Sequence, residues 1–292
     1  MNTNDLKIFE AVAANGSFTK AADVMFTVQS NVTARIKNLE DEFGVSLFTR
    51  TSRHVELTSA GKTFMQYCKQ ISHLVEEAKK ELSSTDQLSG HLKIGCIETT
   101  MALQAPGIIN SFTEDYPDVE LEFKANFSGQ LISDVLNYKL DAAFVSAPVS
   151  IPELEQMHIK EDQLVIVTSA SHSTLQKTIQ VNPLKIIVFD QGCIYRARLE
   201  SWLSANGIIQ YKSIVMNSLE GIINFVEAGI GITILPAEII EQYYENRKLK
   251  TFSIGKGLGT STTVLIYRKD APQSGALKAF LSRYEKQDLV TA

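Results

Sequence analysis

The chain has little of the material from which several classes of protein are made. Its 292 residues carry only three cysteines, Cys68, Cys96 and Cys193, with no CxxC pair among them. Thiols so few and scattered exclude a disulfide framework and fit a reducing, cytoplasmic compartment. No apolar run approaches the length needed to span a bilayer, and Gly229 to Pro236 is among the longest. The first twenty residues scatter Asp5 and Glu10 among apolar positions, with no basic start ahead of an apolar block, so no secretory signal is expected. The histidines at 54, 73, 91, 158 and 172 form no HxH or HExxH, so no metal is expected. There is no GxSxG elbow and no GxxxxGK[ST] loop. Gly229-Ile-Gly231 follows a helical stretch and precedes a strand, the reverse of a dinucleotide fingerprint, and reads as a tight turn. Catalysis has poor material here; neither an enzyme nor a cofactor is expected.

Basic charge is also scarce. The net charge is −5, and residues 1–60 hold six Lys/Arg (7, 20, 35, 37, 50, 53) against seven Asp/Glu (5, 10, 23, 40, 41, 42, 56). What basic charge there is lies in two places, Arg35 with Lys37, and Arg50, Arg53 and His54. A phosphate backbone would have to be met there. What the chain does have is a 44% hydrophobic content with 21% charged residues, enough to build a core in each of two domains.

Three helical segments precede Gly44. Leu6, Phe9, Val12 and Ala13 recur at helical spacing until Asn15-Gly16, and Ser17 can cap a short segment whose face is Phe18, Ala21, Ala22 and Met25. In the third, Val28, Val32, Ile36, Leu39 and Phe43 place five apolar side chains on one stripe. Its other face carries Gln29, Ser30, Asn31, Thr33, Arg35 and Lys37, residue types that hydrogen-bond base edges. Two short β-like runs around a basic tip follow, from Val45 to Leu57. Periodicity alone fits equally a small helical bundle with a solvated polar face.

Residues 4–61 resemble the N-terminal domain of the LysR-type transcriptional regulators. The matching positions are Leu6, Phe9, Val12, Gly16-Ser17-Phe18, Ala21-Ala22, Gln29, Val32-Thr33, Ile36, Leu39-Glu40, Gly44-Val45, Leu47-Phe48, Arg50, Leu57-Thr58 and Ala60-Gly61. The resemblance implies a winged helix-turn-helix over residues 1–58 that binds double-stranded DNA, the helix-turn-helix proper running from Phe18 to Lys37. DNA contacts are then expected from Ser17, Phe18, Thr19, Gln29, Ser30, Asn31, Thr33, Arg35, Lys37, Arg50 and Arg53, with Gln29 foremost. The chain departs from the family's frequent proline at Ser30 and from its Ser-Arg at Thr33-Ala34, so the fold carries over more securely than a base-contact pattern.

From Ser59 to about Thr85 there is no proline, and Phe64, Tyr67, Ile71, Leu74 and Ala78 step 3-4-3-4, with Cys68, Val75 and Leu82 alongside. This reads as a short coiled-coil seam or as a helix packed on its own domain. The resemblance makes 59–90 a linker that pairs two subunits, and two paired heads imply an interrupted palindromic site and a homodimer, further assembled into a homotetramer. No membrane is expected as a partner.

Beyond Gly90, β-rich runs (92–97, 119–125, 142–145, 164–168, 186–189, 213–216, 232–235, 263–267) alternate with helical patterns (101–113, 130–138, 195–205, 219–227, 237–244, 274–286). The alternation predicts an α/β domain with largely parallel pairing. Leu92-Lys-Ile-Gly95, Phe112, Tyr116-Pro117, Leu140 to Phe144 and Glu227 to Pro236 resemble the effector domain of the same regulators, and Asp190 to Arg196 is similar to its YofA-like subgroup. That implies a two-lobed, periplasmic-binding-protein-like (type 2) domain over 91–292. Lobe I would span 91–161 and 268–292, and lobe II 162–267, with a small-molecule effector between them. A free solute-binding protein would share this domain but have no use for the polar face of Gln29 to Lys37.

Ligands of open α/β sheets sit at strand ends and helix N-termini. By that rule Glu98-Thr99-Thr100 and Ser128 stand out on one side, and Gln191, Gly192, Cys193 and Arg196 on the other. The resemblance implies effector contacts at Thr99, Thr100 and Ser128, with Asn217 and Ser218 near the opposite wall. Simple N-capping by Thr100, Ser128 and Ser218 and an exposed helix charge at Arg196 are the plain alternatives. The amide ends favour a polar or anionic metabolite. Cys96 and Cys193 occupy corresponding places in the two lobes, so a thiol-based redox switch is the alternative form of control.

Overall fold

The computed structural model describes residues 1–50, 55–83, 88–171, 174–255, 257–271 and 273–288. Two compact units, Met1–Ser83 and Ser84–Ala292, divide the chain.

In the first unit, α1 (Thr3–Asn15) opens on a reciprocal cap. The Asp5 amide donates to Asn2 Oδ1 at 3.0 Å and the Asn2 amide to Asp5 Oδ2 at 2.7 Å. Gly16 stops it at φ 59°, a left-handed conformation that glycine adopts without strain. Ser17 caps α2 (Phe18–Val24), and α3 (Gln29–Phe43) ends on Gly44 in the same left-handed way. Strands β1 (Phe48–Arg50) and β2 (Val55–Leu57) pair antiparallel and lead into α4 (Ser59–Ser83). Leu6, Phe9, Val12, Ala21, Val32, Ile36 and Leu39 fill one core with Phe48, Phe64 and Cys68. The Phe9 ring sits 5.1 Å from that of Phe48 and 4.9 Å from that of Phe64.

Two expectations change here. The five-residue stripe of α3 buries only Val32, Ile36 and Leu39; Val28 is 65% exposed and Phe43 45% exposed. The seam of α4 also divides, because Phe64 and Cys68 belong to the core of the head whereas Tyr67, Leu74 and Leu82 stay exposed. The start of α4 is therefore a structural part of the head as well as its exit.

The second unit begins with β3 (Gly90–Cys96), α5 (Glu98–Leu103), α6 (Ala105–Asp115), β4 (Val119–Ala125), α7 (Ser128–Leu136), β5 (Ala142–Ser146) and β6 (Leu154–Ser169). It continues with α8 (Leu175–Ile179), β7 (Leu184–Val188), α9 (Ile194–Ala205), β8 (Tyr211–Val215), α10 (Leu219–Glu227) and β9 (Thr233–Pro236). It closes with α11 (Ala237–Tyr243), β10 (Leu249–Ser253), β11 (Thr260–Arg268) and α12 (Gly275–Asp288). The seven-stranded sheet runs β10-β6-β11-β5-β3-β4, with β9 on β6, while β7 and β8 form a separate pair.

Pairing is mixed rather than largely parallel. β3 lies parallel to β4 and β5, and β7 parallel to β8, but β11 is antiparallel to β5 and β6, and β6 is antiparallel to β9 and β10. The antiparallel part is built by the two long strands β6 and β11, which run side by side through both halves of the unit. Lobe I packs around Leu92, Ile94, Phe112, Phe144 and Phe280, with a second cluster at Leu131, Val145 and Ile266. Val264 to Ile266, expected in lobe II, pack here instead, because β11 pairs with β5 from Thr263 to Tyr267. Lobe II packs around Ile166, Ile186, Leu199 and Ile234, with a second cluster at Val167, Ile187, Ile223 and Leu235.

Candidate nucleic-acid interface and ligand cavity

At the head, the start of α3 is exposed and polar. Gln29 accepts a hydrogen bond on Oε1 from Thr19 Oγ1 at 3.1 Å, which ties the first turn of α3 to the first turn of α2. Thr19, Ser30 and Lys37 are exposed, while Asn31 donates to Thr27 Oγ1 at 2.9 Å and Thr33 is half-buried. Other expected contacts are turned elsewhere. The Phe18 ring lies in the core, leaving that residue only its backbone to offer. Ser17 caps α2 by accepting from the Lys20 amide. Arg35 Nη1 donates to Asp5 Oδ1 at 2.8 Å, joining α3 to α1, because Arg35 lies about 240° around α3 from Gln29 and so off the exposed face that Lys37 shares.

The strand pair after α3 is held by a residue whose contact the sequence does not announce. Glu40 Oε1 accepts the Leu47 amide at 2.8 Å and the Phe48 amide at 3.2 Å, fixing where β1 begins. The tip, residues 51–54 with Arg53, and the Arg50 side chain lie outside the described residues. Exposed apolar side chains at Val24, Phe26 and Val28 also border α3. Phe26 sits at φ 51°, and Val28 occupies the N-cap position of α3 without a side-chain hydrogen bond.

In the second unit a cavity of about 610 Å³ opens between the lobes. Its walls are built alike. Each lobe presents the carboxyl ends of a parallel strand pair, β3 and β4 on one side and β7 and β8 on the other. Ile97, Glu98 and Ala125 to Ser128 form the first wall; Phe189, Asp190, Gly192 to Tyr195 and Val215 to Asn217 form the second. Of the expected contacts, Ser128, Gly192, Cys193 and Asn217 line it.

The remaining expected residues are not among the lining side chains. Thr99 and Thr100 are buried, and the Thr99 hydroxyl is 2.8 Å from the Tyr195 hydroxyl, a bond that ties α5 to α9 across the lobes. Arg196 Nε donates to Glu200 Oε1 at 2.9 Å, one turn along its own helix. Ser218 caps α10 by accepting the Gly221 amide, and the Gln191 amide donates to Asp190 Oδ1. Ser128 is not an N-cap: its Oγ accepts the Ser146 amide at 3.1 Å, bracing the start of α7 against the end of β5. Sequence reasoning passed over Phe127, Phe189, Asp190, Tyr195 and Met216, which shape the cavity. Their place after strand ends was the available signal.

The thiols are poorly placed for redox control. Burial, then the charge of Glu98, pushes the Cys96 thiol up to about 12, and Cys96 Sγ rests 3.9 Å from Met101 Sδ. Burial also raises Cys193, although the nearby amides of Arg196 and Tyr195 and the charge of Arg196 oppose the rise. With burial keeping both thiols protonated, a switch between them is not favoured. Among the described residues, no group of three or more His, Cys, Asp or Glu could hold a metal ion. No described helix is long and apolar enough to cross a membrane.

Comparison with known proteins agrees with both halves. Residues 3–62 match the bacterial regulatory helix-turn-helix protein, lysR family, and residues 85–287 match the LysR substrate binding domain. The chain is 38% identical over 284 residues to the uncharacterized HTH-type transcriptional regulator YusT of Bacillus subtilis, covering 97% of this chain and 95% of that one. It is 37% identical to the HTH-type transcriptional regulator CzcR of Bacillus cereus, over 98% of each chain. With the HTH-type transcriptional regulator YofA of B. subtilis it shares 37% identity over 96% of this chain and 97% of the other. Its fold is similar to that of full-length CbnR complexed with target DNA, at TM-score 0.68 and 20% identity, over 98% of this chain and 99% of that one. A full-length OxyR from Pseudomonas aeruginosa matches at TM-score 0.72 and 20% identity, over 98% and 95%. On the strength of the matched domains and of relatives alike over nearly the whole length, the chain belongs to the LysR family of DNA-binding transcriptional regulators.

Proposed function

We propose that this cytoplasmic regulator reads an interrupted palindromic promoter site with the N-terminal turn of α3. A small molecule held between the lobes of the second unit controls it. The observation that carries the reading is the cavity, a recess of about 610 Å³ bounded by strand ends from both lobes, in a chain whose head presents Gln29, Ser30 and Lys37 to solvent. Gln29 is the principal base-reading side chain, and Thr19 orients it through their hydrogen bond. Arg50 and Arg53 of the wing meet phosphates. Ser128, Gly192, Cys193 and Asn217 contact the ligand.

The exposed Tyr67, Leu74 and Leu82 of α4 pair two chains into a homodimer, and dimers assemble into a tetramer. Ligand binding changes the angle between lobes and thereby biases one assembly over the other, which requires a difference in affinity between the two states. Fluorescence anisotropy at fixed salt, with one cognate and one scrambled duplex, tests the DNA-reading half. Gln29→Ala should lower the ratio of specific to non-specific affinity by about tenfold, whereas Arg53→Ala should weaken both duplexes alike. Parental behaviour of both variants would refute the assignment.

A further inference from the structure

We propose that the metabolite occupying the cavity is a cation, bearing an amine, a guanidine or a quaternary ammonium group. The proposal rests on the reading of the cavity as the effector site. It follows from the charges on the walls. Glu98 from lobe I and Asp190 from lobe II both line the recess, and among the described residues no lysine, arginine or histidine does. The nearby guanidinium of Arg196 is already engaged by Glu200 at 2.9 Å. The expectation of an anion came from helix amide ends, and those are outweighed here. Cys193 leaves the start of α9 without a side-chain cap, and Phe127 does the same at α7. Each helix end contributes about half a positive charge, together about one, against two carboxylates on the walls. An anion entering this space would meet unfavourable potential on both walls; a cation would be drawn to both.

Cys193 allows the local potential to be read without knowing the ligand, because it is half-buried and lines the cavity whereas Cys68 and Cys96 are wholly buried. The full-length protein is treated in parallel with a trimethylammonioethyl and a sulfonatoethyl methanethiosulfonate. Each transfers its thioalkyl group to the thiolate and releases methanesulfinate. Peptide-resolved mass spectrometry then gives the rate at Cys193. The ratio of cationic to anionic rate should exceed that of 2-mercaptoethanol by about tenfold. It should fall in Glu98→Gln and in Asp190→Asn, and approach the free-thiol ratio in the double variant. An anionic reagent that reacts as fast as the cationic one, or a high ratio unmoved by the two substitutions, would overturn the cationic class and leave the cavity standing as a site. If neither reagent reaches Cys193 in the native protein while both modify it in urea, the effector-cavity reading fails, and the proposal with it.

Discussion

The hydrogen bond between Thr99 and Tyr195 ties the two lobes behind the cavity, and its removal has calculable consequences. Both hydroxyls are buried, at 3% and 4% residue exposure, and lie 2.8 Å apart. Burial chiefly, opposed by the bond from Thr99, raises the Tyr195 phenol far above its ordinary value, so it stays neutral at any working pH. Thr99→Val keeps the shape and deletes one partner, leaving the phenol unsatisfied at a cost of about 1–3 kcal/mol. Tyr195→Phe is expected to cost less, about 0.5–1.5 kcal/mol, because the freed threonine can turn to a carbonyl of its own helix. Deleting both should cost less than the sum of the single losses, by a coupling energy of about 1 kcal/mol. For a unit of this size each kcal/mol moves the midpoint by roughly 2–4 °C, well within calorimetric resolution. Scanning calorimetry of the parent, both singles and the double variant closes the cycle. Strict additivity would show that the two hydroxyls do not depend on each other and that the lobes are held by other contacts.

Arg35→Ala should destabilise the head by about 1–3 kcal/mol by leaving Asp5, whose residue is 7% exposed, without its cation. Urea denaturation followed beside DNA titration separates this from a base contact, since lost affinity with unchanged stability would place Arg35 on DNA instead. Gly61→Ala should cost about 1–3 kcal/mol or more, because an added Cβ would stand 2.1 Å from the Leu47 carbonyl oxygen, a backbone atom; a parental urea midpoint would contradict that packing. Asp134 gives a pH test. Burial alone would raise its carboxyl, but hydrogen bonds from Gln130 and Lys124 and the charges of Lys124 and Lys139 outweigh this and hold it below its ordinary value of 3.8. Its folded value lies below its unfolded one, so its contribution is complete above the unfolded value and disappears as pH falls through the folded one. Asp134→Asn should therefore flatten the loss of stability below about pH 4, and an identical acid slope in both proteins would refute it.

The head was legible because its apolar positions repeat at helical spacing and its stops are chemical. Gly16 and Gly44 sit where α1 and α3 need a left-handed residue, and Ser17 where α2 needs an acceptor. Periodicity failed at the ends of α3. Val28 and Phe43 share the angular position of the buried stripe but lie beyond the neighbours that would cover them. In the second unit, Met101 to Thr113 reads as one helix, yet the chain turns at Gln104 and restarts ahead of Pro106 as α6. The first half of β6 escaped because it is amphipathic and half-exposed, with charged residues among the apolar ones. Parallel and antiparallel pairing cannot be separated from composition when long strands such as β6 and β11 run through both lobes, since one face of each is covered throughout.

The cavity was legible in position and not in register, and helix geometry accounts for that. Residues just after a strand end lie on the first turn of the next helix, where each step rotates the side chain by about 100°. One step therefore exchanges a lining residue for a buried one. Glu98 faces the cavity, while Thr99 turns into the interior to meet Tyr195. At the other wall the change falls in the turn ahead of α9, where Asp190 and Gly192 line the space and Gln191 between them does not, while on α9 itself Arg196 is carried to Glu200. An error of one position costs little in locating the site but reverses its chemistry. Threonine hydroxyls and an arginine would make a receptor for anions; the carboxylates that take their place make one for cations.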